Sequence, residues 1–413
     1  MMWRYLKYQE ESLMKVISLE LKITMVAPNK KKIVKKVLTK KKVVKKKTSK
    51  KVVKKTKRKA KIKVRPLNLK RSKLNPIINP KSDSYWESEA VFNPGAVVSS
   101  DRVHLFYRAL GPDGISRVGY ASSKDGIDFD KRHPHPVYMP ETDQEFATHH
   151  PYTSPARLAY DRGLYMSGGG WGGCEDPRAV KLGGRLYLTF NIFNGWGSIR
   201  VGVTSISEDD LEQGRWNWRR MLFLSPPNQI HKNWMLFPEK MDNKFAILHS
   251  VSPDVKVDYL GTLEELHSGR KVITSSRSED KTYPHYTWES WIRGAGAPPI
   301  KTKYGWLVFY HAMDKSDPNR YKLGTMLLDL NNPQKVLYRS KYPILEPDEW
   351  YENDWKPGII YASGAVVKGD TLFIYYGGGD KHIGVAYTKL DDFIDKLMKN
   401  EHIVLATRPT KVK

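Results

Sequence analysis

The sequence predicts an all-β fold, a five-bladed β-propeller that follows a lysine-rich N-terminal extension. From about residue 83 onwards, short apolar strands alternate with turns rich in Gly, Pro, Asn and Asp, and long helical periodicity is scarce. Five segments resemble one another, and their starts lie roughly 60 to 80 residues apart. Self-similarity at such a period is typical of radially repeated sheets.

Each of the five segments begins with a small or proline-marked residue and forms a hairpin pattern. A short strand is followed by a turn and then by a strongly apolar, aromatic strand. The segments start at Gly95, Asp176, Phe237, Ala297 and Gly364, and third strands start at Ile115, Ile199, Tyr321 and Ile383. A β-sandwich is the alternative, but its strands do not recur in such similar hairpins.

The net charge of +26 lies in one part of the 413-residue chain. Residues 30–82 contain 25 Lys and Arg and no Asp or Glu, whereas residues 83–413 contain 41 basic and 41 acidic side chains. Because like charges repel and little apolar surface is available, the charged segment is expected to be disordered. We therefore predict an extension over residues 1–74, with a linker from Pro66 to about Pro80, and a catalytic propeller domain over 75–413.

The lysine-rich extension is suited to an anionic partner. It would bind nucleic acid or a membrane surface by neutralising phosphates, and the absence of aromatic residues between its lysines does not favour base stacking. The alternative is a solubilising tail with no part in the chemistry. The neutral charge of residues 83–413 argues against nucleic-acid binding by the propeller itself.

Composition also indicates where the protein works. The single cysteine, Cys174, excludes an internal disulfide framework and fits a reducing, cytoplasmic compartment. The sequence contains no apolar run of about 18 residues, so no transmembrane helix is predicted. The first 25 residues lack the apolar core and cleavage site of a secretory signal, and Met25 is an alternative start to Met1.

The stretch from Gly172 to Arg178 is the candidate centre of the site. Its two glycines allow a tight turn and a close approach of the backbone to a ligand. Glu175 and Asp176 follow where the turn enters a strand, a place suited to proton transfer to a bound polar substrate. The alternative is a surface turn with an ion pair between Asp176 and Arg178.

In a propeller, polar residues at the start of each first strand converge on one site. The residues predicted to meet there are Asn93, Asp176, Lys232, Asn233, Arg293 and Tyr361, and the following strands add Arg108, His249, His311 and Asp380. Trp171, Trp234, Tyr310 and Tyr376 are the aromatic candidates nearby. This combination suits a sugar together with an anion.

Residues 131–170 are predicted to form an inserted loop that shapes the subsite for the leaving sugar. The loop contains His133, His135, His149 and His150. Neither a thiol nor a clear carboxylate partner lies at ligand spacing, so we predict no metal site.

Several motifs together resemble glycoside hydrolase family 130. They are Phe92–Ala96, Phe106–Ala109, Gly173–Arg178, Leu236–Glu239, Gly294–Ile300, Gly305–Leu307 with Tyr310 and His311, and Tyr375–Gly377 with Asp380. Each motif is short, but all occur in the family's order between about residues 75 and 396. The lysine-rich extension lies outside this resemblance.

The resemblance implies a five-bladed propeller that cleaves β-mannosides with inversion. Most family members use inorganic phosphate as co-substrate and release α-mannose 1-phosphate, and a minority hydrolyse. Asp176 would be the general acid, acting through a sugar hydroxyl, with no metal or organic cofactor. The implied mannosyl-binding residues are Asn93, Arg108, Arg117 and Asp380, with Tyr310 as a further candidate, and the phosphate-binding residues are Lys232, Asn233, Arg293 and His311.

The sequence departs from the family pattern at the phosphate site. Lys232 and Ser250 stand where the family's phosphorylases typically have arginines. Each lost charge-assisted bond costs roughly 1.5–3 kcal/mol, or about ten- to a hundred-fold in affinity. Hydrolysis is therefore the alternative activity, and it needs a carboxylate base about 6.5–9.5 Å from the acid, for which Glu175, Glu239 and Asp254 are candidates.

Two further alternatives belong to other classes of protein. One is a carbohydrate-binding propeller without catalysis, and the other is a nucleic-acid-associated scaffold whose main function lies in the extension. The expected partner of the propeller is a mannose-containing oligosaccharide. The linkage, the aglycone and the choice between monomer and homo-oligomer stay open.

Overall fold

The computed structural model describes residues 69–139, 170, 172–194, 199–227, 229–273 and 286–403. Strands dominate these residues and helices are few and short, which confirms the all-β prediction. The charged part of the extension, Trp171 and most of the predicted loop, including His149 and His150, lie outside the described residues.

The strands form five successive antiparallel meanders, numbered here in chain order. The first contains β2 (Ala90–Ser99), β3 (Arg102–Leu110), β4 (Ile115–Ser123) and β5 (Lys131–Arg132). The second contains β6 (Gly172–Leu182), β7 (Arg185–Asn194), β8 (Ile199–Ser207) and β9 (Leu222–Phe223). The third contains β10 (Met235–Leu236), β11 (Phe245–Val251) and β12 (Val255–Leu260).

The last two meanders complete the described chain. The fourth contains β13 (Trp291–Ala295), β14 (Ile300–Thr302), β15 (Gly305–Asp314), β16 (Asp317–Leu328) and β17 (Val336–Arg339). The fifth contains β18 (Ile360–Lys368), β19 (Thr371–Gly378), β20 (His382–Lys389) and, from the other end of the chain, β1 (Lys70–Arg71). The predicted hairpin segments correspond to neighbouring antiparallel strands in every meander.

A short parallel pairing joins the first two meanders into one sheet. Ile115 and Ser116 of β4 pair with Gly172 and Gly173 of β6. Gly173 has a φ of 96°, and a Cβ there would lie 2.1 Å from the carbonyl oxygen of Ser116. Only glycine fits this position, because both the backbone conformation and the close approach exclude a side chain.

The N-terminal strand β1 forms the outer edge of the fifth meander. Lys70 and Arg71 pair with Tyr387 and Ala386 of β20, and the neighbouring Leu69 is fully buried. These residues fall within the segment assigned to the extension and linker. The folded part therefore includes residues before the predicted boundary at 74/75, because pairing with β20 gives this short stretch a partner that the sequence pattern does not reveal.

The α-helices of the described residues are short and lie at the ends of strands. They are α1 (Glu208–Glu212), α2 (Glu264–His267) and α3 (Leu390–Met398). Ser207 caps α1 by accepting a hydrogen bond from the Asp210 amide, and α3 buries Phe393 and Ile394 against the fifth meander. No helix within the described ranges is long and apolar enough to cross a membrane.

Five large hydrophobic clusters each combine residues of two meanders. Four of them join meanders that follow each other in the chain, as where Phe106 of β3 meets Leu188 of β7. The other joins the fifth meander to the first, with Tyr375 and Val385 packed against Leu105. Burial of apolar surface therefore connects every meander to two others.

A buried Tyr–Glu–Arg group holds the fourth meander together. The Tyr310 hydroxyl donates a hydrogen bond to Glu289, the last residue of a short 3-10 helix, and Arg339 of β17 lies 3.6 Å from the same carboxylate. The tyrosine ring faces Gly324 on β16, where a Cβ would lie 2.4 Å from the ring carbon Cζ. The group joins the 3-10 helix before β13 to β15 and to β17.

Equivalent groups occur in the first and fifth meanders. They are Tyr107, Glu87 and Arg132 opposite Gly119, and Tyr376, Glu352 and Arg71 opposite Gly384. In each case the glutamate belongs to a short 3-10 helix before the meander, Tyr85–Glu87 or Trp350–Glu352. Tyr310 and Tyr376 were predicted to lie beside the sugar. That prediction is wrong, because both are fully buried in these groups.

We expect Tyr310→Phe to lower the free energy of unfolding by about 1–3 kcal/mol, since it leaves the buried Glu289 carboxylate without this hydrogen bond. The ring itself should still fit, because Phe190 occupies the corresponding register opposite Gly202. Denaturant unfolding would measure the change. Tyr304→Phe is the control because Tyr304 is 38 % exposed, and equal stability of the two variants would contradict the assignment.

Candidate active site

A pocket of about 190 Å³ lies where the first strands of several meanders begin. Its lining residues are Asn93, Arg108, Asp176, Lys232, Asn233, Arg293, Tyr321, Lys356, Ile359, Tyr361 and Asp380. The pocket brings together seven of the ten site residues that the family resemblance implies, and also Tyr361, which was predicted to converge there. The three others, Arg117, Tyr310 and His311, do not line it.

Strained backbone marks this pocket. Asn93, Asp176, Asn233 and Asp380 have φ values of 48°, 51°, 65° and 53°, in the left-handed region. In β2 and β6 the strand register shifts at the Asn-Pro and Asp-Pro steps, so Asn93 and Asp176 lie at equivalent irregularities. Left-handed non-glycine residues cost about 1–3 kcal/mol each and cluster at functional sites.

Asp176 is held by an amide and a guanidinium. Its Oδ1 accepts a hydrogen bond from Asn93 Nδ2 at 2.8 Å and lies 3.5 Å from Arg108 Nη1. Burial raises the pKa of the carboxyl, but Arg108, Arg178 and the Asn93 hydrogen bond together outweigh it and hold the pKa below its usual range. Asp176 is therefore ionised at neutral pH in the unliganded protein.

Glu175 lies behind Asp176 and is fully buried. Its Oε1 accepts a hydrogen bond from Arg108 Nη2 at 3.0 Å, and its Oε2 lies 3.7 Å from Lys232 Nζ. Arg108 also donates from Nε to the hydroxyl of Ser116 at 2.9 Å. Arg108, predicted to hold the mannosyl ring, is thus anchored by two carboxylates at the pocket wall.

Arg178 does not form an ion pair with the Asp176 carboxylate, so the alternative of a surface turn with such a pair is wrong. The guanidinium is buried and donates to the backbone oxygens of Asp176, Ala295 and Gly296 and to the hydroxyl of Tyr361, at 2.8–3.3 Å. It therefore joins β6 of the second meander to the fourth and fifth meanders. Its charge still acts on the Asp176 carboxyl.

Asp380 faces the pocket from the end of β19, together with Lys356, whose Nζ lies 3.5 Å from its Oδ2. Burial raises the pKa of Asp380 despite the opposing charges of Lys356 and Arg108, and the charge of Asp176 adds to the rise. The two pocket carboxyls therefore have pKa values shifted in opposite directions.

Sequence reasoning missed Lys356 and Tyr321. Lys356 follows the 3-10 helix Trp350–Glu352. This helix is one of three similar short helices that end in a glutamate, and their repetition in the sequence could have drawn attention to this segment. Tyr321 reaches the pocket because its backbone bridges to Ile359, and no local motif marks that pairing.

A second pocket, of about 180 Å³, adjoins the first and shares Lys232, Asn233 and Arg293 with it. Arg293 Nε donates to the Tyr321 hydroxyl at 2.8 Å. Among the described residues, no carboxylate lies within ion-pair distance of Arg293. Cationic and amide side chains on a small shared cavity suit an oxyanion.

Ser250 and His249 also line this second pocket. The Ser250 hydroxyl is directed towards its own turn, 3.1 Å from the backbone oxygens of Ser252 and Asp254. His249 Nε2 lies 2.9 Å from Asp258. The departure from the family pattern at Ser250 therefore leaves a short, uncharged side chain at the wall of this pocket.

Two predicted ligand-binding residues have other partners. His311 is fully buried, accepts the Ala362 amide hydrogen on Nε2 at 2.9 Å, and stacks on Tyr361 with ring centroids 4.1 Å apart. Arg117 makes two hydrogen bonds to Asp113, at 3.1 and 2.6 Å. His311 thus lies behind Tyr361 and lines neither pocket, and Arg117 is bound to a carboxylate outside the pocket lining.

The three candidate bases for hydrolysis do not line either pocket. Both carboxylate oxygens of Glu175 face cations. Glu239 pairs with Lys301 at 2.7 Å on an exposed surface, and Asp254 lies in an exposed turn. Within the described ranges, no group of three His, Cys, Asp or Glu side chains is placed to hold a metal ion.

Comparison with known proteins gives this site a context. A family profile described as beta-1,4-mannooligosaccharide phosphorylase, of glycoside hydrolase family 130, matches residues 166–399. The chain is 37 % identical to a 1,2-beta-oligomannan phosphorylase of Thermoanaerobacter sp., over 79 % of this chain and 99 % of the relative. It is 34 % identical to a beta-1,2-mannobiose phosphorylase of the same organism, over 77 % and 96 %.

Solved structures agree on the fold. The beta-1,2-mannobiose phosphorylase of Listeria innocua superimposes with a TM-score of 0.58 at 22 % identity, covering 80 % of this chain and 99 % of that one. A glycosyl hydrolase from Bacteroides ovatus gives 0.61 at 21 % identity, covering 79 % and 95 %.

The protein is an enzyme that acts on glycosides. Its relatives and family profile show this class, and the pocket fits it, with carboxylates, cations and amides around one cavity of an all-β fold. The chain belongs to glycoside hydrolase family 130, at the level of the mannoside phosphorylases.

The buried His311 makes stability depend on pH. Burial, reinforced by the charge of Arg178, lowers the pKa of His311 to about 3, so below pH 6.5 the unfolded chain binds a proton that the folded protein does not. Stability is therefore lost as pH falls, by about 2 kcal/mol at pH 5 for this group.

We expect His311→Gln, which keeps an acceptor for the Ala362 amide, to show a flatter pH dependence of stability than the wild type. Unfolding free energies measured at pH 7.5 and pH 5 provide the test. The same pH dependence in both proteins would show that His311 is not held neutral by the fold.

Proposed function

We propose that this chain is a β-mannoside phosphorylase built as a five-bladed β-propeller. Five successive meanders and five clusters that link each meander to two others support the proposed ring. Close approaches between first strands add to this support. A Cβ on Gly95 would lie 2.6 Å from the Pro177 oxygen, and one on Gly364 would lie 2.4 Å from the Pro94 oxygen.

The observation that carries the proposed reaction is the sharing of Lys232, Asn233 and Arg293 by two adjoining pockets. A mannosyl group in the larger pocket and a phosphate in the smaller one would then meet at these residues, beside Asp176. The phosphate oxygen forms the new bond to the anomeric carbon while the bond to the leaving sugar breaks. The leaving oxygen takes the proton of Asp176, through a sugar hydroxyl as in the family.

Hydrolysis is the second candidate, and Ser250 is the observation in its favour. Its hydroxyl is engaged with its own turn and adds no charge to the smaller pocket. The placement of the candidate bases argues the other way, because Glu175, Glu239 and Asp254 all lie outside the lining of both pockets. Phosphorolysis is therefore the favoured activity.

The first substrate to test is β-1,2-linked, because the relatives with 37 % and 34 % identity are named for β-1,2-oligomannan and β-1,2-mannobiose. A panel of β-1,2-, β-1,3- and β-1,4-mannobiose should be incubated with and without phosphate, with products followed by NMR. α-Mannose 1-phosphate is expected only with phosphate. Equal release of free mannose under both conditions would favour hydrolysis, and no cleavage of any substrate would reject both activities.

Asp176→Asn should lower kcat by about a hundred- to ten-thousand-fold while leaving substrate binding largely intact. The amide keeps the shape of the side chain but has no acidic proton to transfer, and general acid catalysis contributes about 10²–10⁴-fold. Initial rates and calorimetric binding of mannobiose would be compared with those of the wild type. Retention of most of the wild-type rate would remove Asp176 from the role of acid.

Ser250→Arg should lower KM for phosphate by about ten- to a hundred-fold, because a planar guanidinium adds charge-assisted hydrogen bonds of roughly 1.5–3 kcal/mol to the smaller pocket. Ser250→Lys is the matched control, since it adds the charge without the planar pair of donors and should gain less. Saturation curves in phosphate at fixed mannobiose measure both. No gain with either variant would place phosphate elsewhere.

A further inference from the structure

Glu175 connects the smaller pocket to the proposed acid through buried charges. Its Oε2 lies 3.7 Å from Lys232 Nζ and its Oε1 lies 3.0 Å from Arg108 Nη2, while Arg108 Nη1 lies 3.5 Å from Asp176 Oδ1. A row of alternating charges therefore runs from Lys232 through Glu175 and Arg108 to Asp176. Glu175 is fully buried, and Lys232 is 33 % exposed at the pocket end of the row.

An anion in the smaller pocket competes with Glu175 for Lys232. When the ammonium turns towards the anion, the buried Glu175 charge depends more strongly on Arg108, since an uncompensated buried charge is costly. The guanidinium is then drawn from Asp176 towards Glu175. Asp176 loses part of the positive charge that keeps it ionised, and the negative charge of the anion acts in the same direction.

We propose that Glu175 is a positioning residue that couples anion binding at Lys232 to protonation of Asp176. This inference rests on the proposed function, because it takes phosphate as the anion and Asp176 as the acid. The proton comes from solvent when the anion binds and passes to the leaving oxygen as the glycosidic bond breaks. The acid is then ready when the nucleophile is in place.

Other groups around Asp176 also affect how readily its carboxyl group is protonated. The charged or titratable side chains that act on it are Arg108, Arg178, Lys232, Asp380, His311, Tyr361 and Tyr321. Of these, Arg108 and Lys232 both contact Glu175 directly. Substitution of Glu175 therefore alters the two cations that join the anion subsite to the acid.

Glu175→Gln keeps the shape of the side chain and removes its charge. Arg108 then loses its 3.0 Å carboxylate partner, and its charge acts more fully on Asp176, so Asp176 stays ionised to lower pH. We expect the basic limb of the kcat profile to move down by about one pH unit and kcat at pH 7.5 to fall about tenfold. KM for phosphate should not rise, because Lys232 is released for the anion.

A merely structural role predicts a different pattern. Loss of packing would lower activity at all pH values without moving the basic limb, and Glu175→Asp would then be no better than Glu175→Gln. If the negative charge at position 175 is what matters, Glu175→Asp should return the basic limb of the kcat–pH profile towards its wild-type position. Glu208→Gln, in a partly exposed pair with Lys181 and outside the lining of both pockets, is the matched control and should behave as wild type.

Calorimetry gives a readout that does not depend on turnover. Phosphate is titrated into the full-length protein in two buffers of different ionisation enthalpy, and the protons taken up per phosphate bound are compared with those of Asp176→Asn. The difference is the share of Asp176, and it should be clearly smaller in the Glu175→Gln background. An equal share in both backgrounds, or an unmoved pH limb, would overturn the coupling.

The two proposals fail in different ways. If the wild type binds phosphate with proton uptake but never forms mannose 1-phosphate, the proposed function fails and the coupling stands. If the wild type forms mannose 1-phosphate, and Glu175→Gln changes neither the basic limb of the kcat–pH profile nor the proton uptake of Asp176, the coupling alone fails. Absence of phosphate binding to the wild type would reject both.

Discussion

The guanidinium of Arg178 is the interaction on which the site most depends. It lies one step along β6 from Asp176-Pro177 and binds backbone oxygens of Ala295 and Gly296 in the fourth meander and the Tyr361 hydroxyl in the fifth. A buried guanidinium requires a partner for its donors, so these strands must stay within hydrogen-bond reach. Asp176 is thereby held at a fixed place between meanders that are distant in the chain.

The same backbone device recurs around the pocket. Strand irregularities with left-handed Asn or Asp residues occur in the first and second meanders, and they direct Asn93 and Asp176 towards each other at 2.8 Å. A regular strand would alternate its side chains and could not present both. The backbone strain at these residues is maintained by the packing of the meanders, because no single hairpin is stable enough to impose it.

Local patterns in the sequence were sufficient for the hairpins and for most of the pocket. The Asn-Pro, Asp-Pro and Lys-Asn steps are visible without any partner, so Asn93, Asp176 and Lys232 could be predicted to converge. The structural role of Tyr310 could not be predicted. In the sequence, a tyrosine that binds a buried glutamate cannot be distinguished from one that binds a sugar, and the hydrogen bond to Glu289 is visible only in the structure. His311 is a related case: it pairs with Gly294 beside a register shift between Ile292 and Gly294, and the sequence alone does not reveal such a shift.

The pairing of β1 with β20 has a consequence for the order in which the chain can fold. Lys70 and Arg71 precede every other strand of the described residues, yet their partners Tyr387 and Ala386 come after nearly all of those residues. Until then Arg71 has no Glu352 to bind, and the fifth meander lacks its outer strand. Contacts between such distant segments form slowly. We therefore expect the pairing of β1 with β20 to be among the last contacts of the described chain to form.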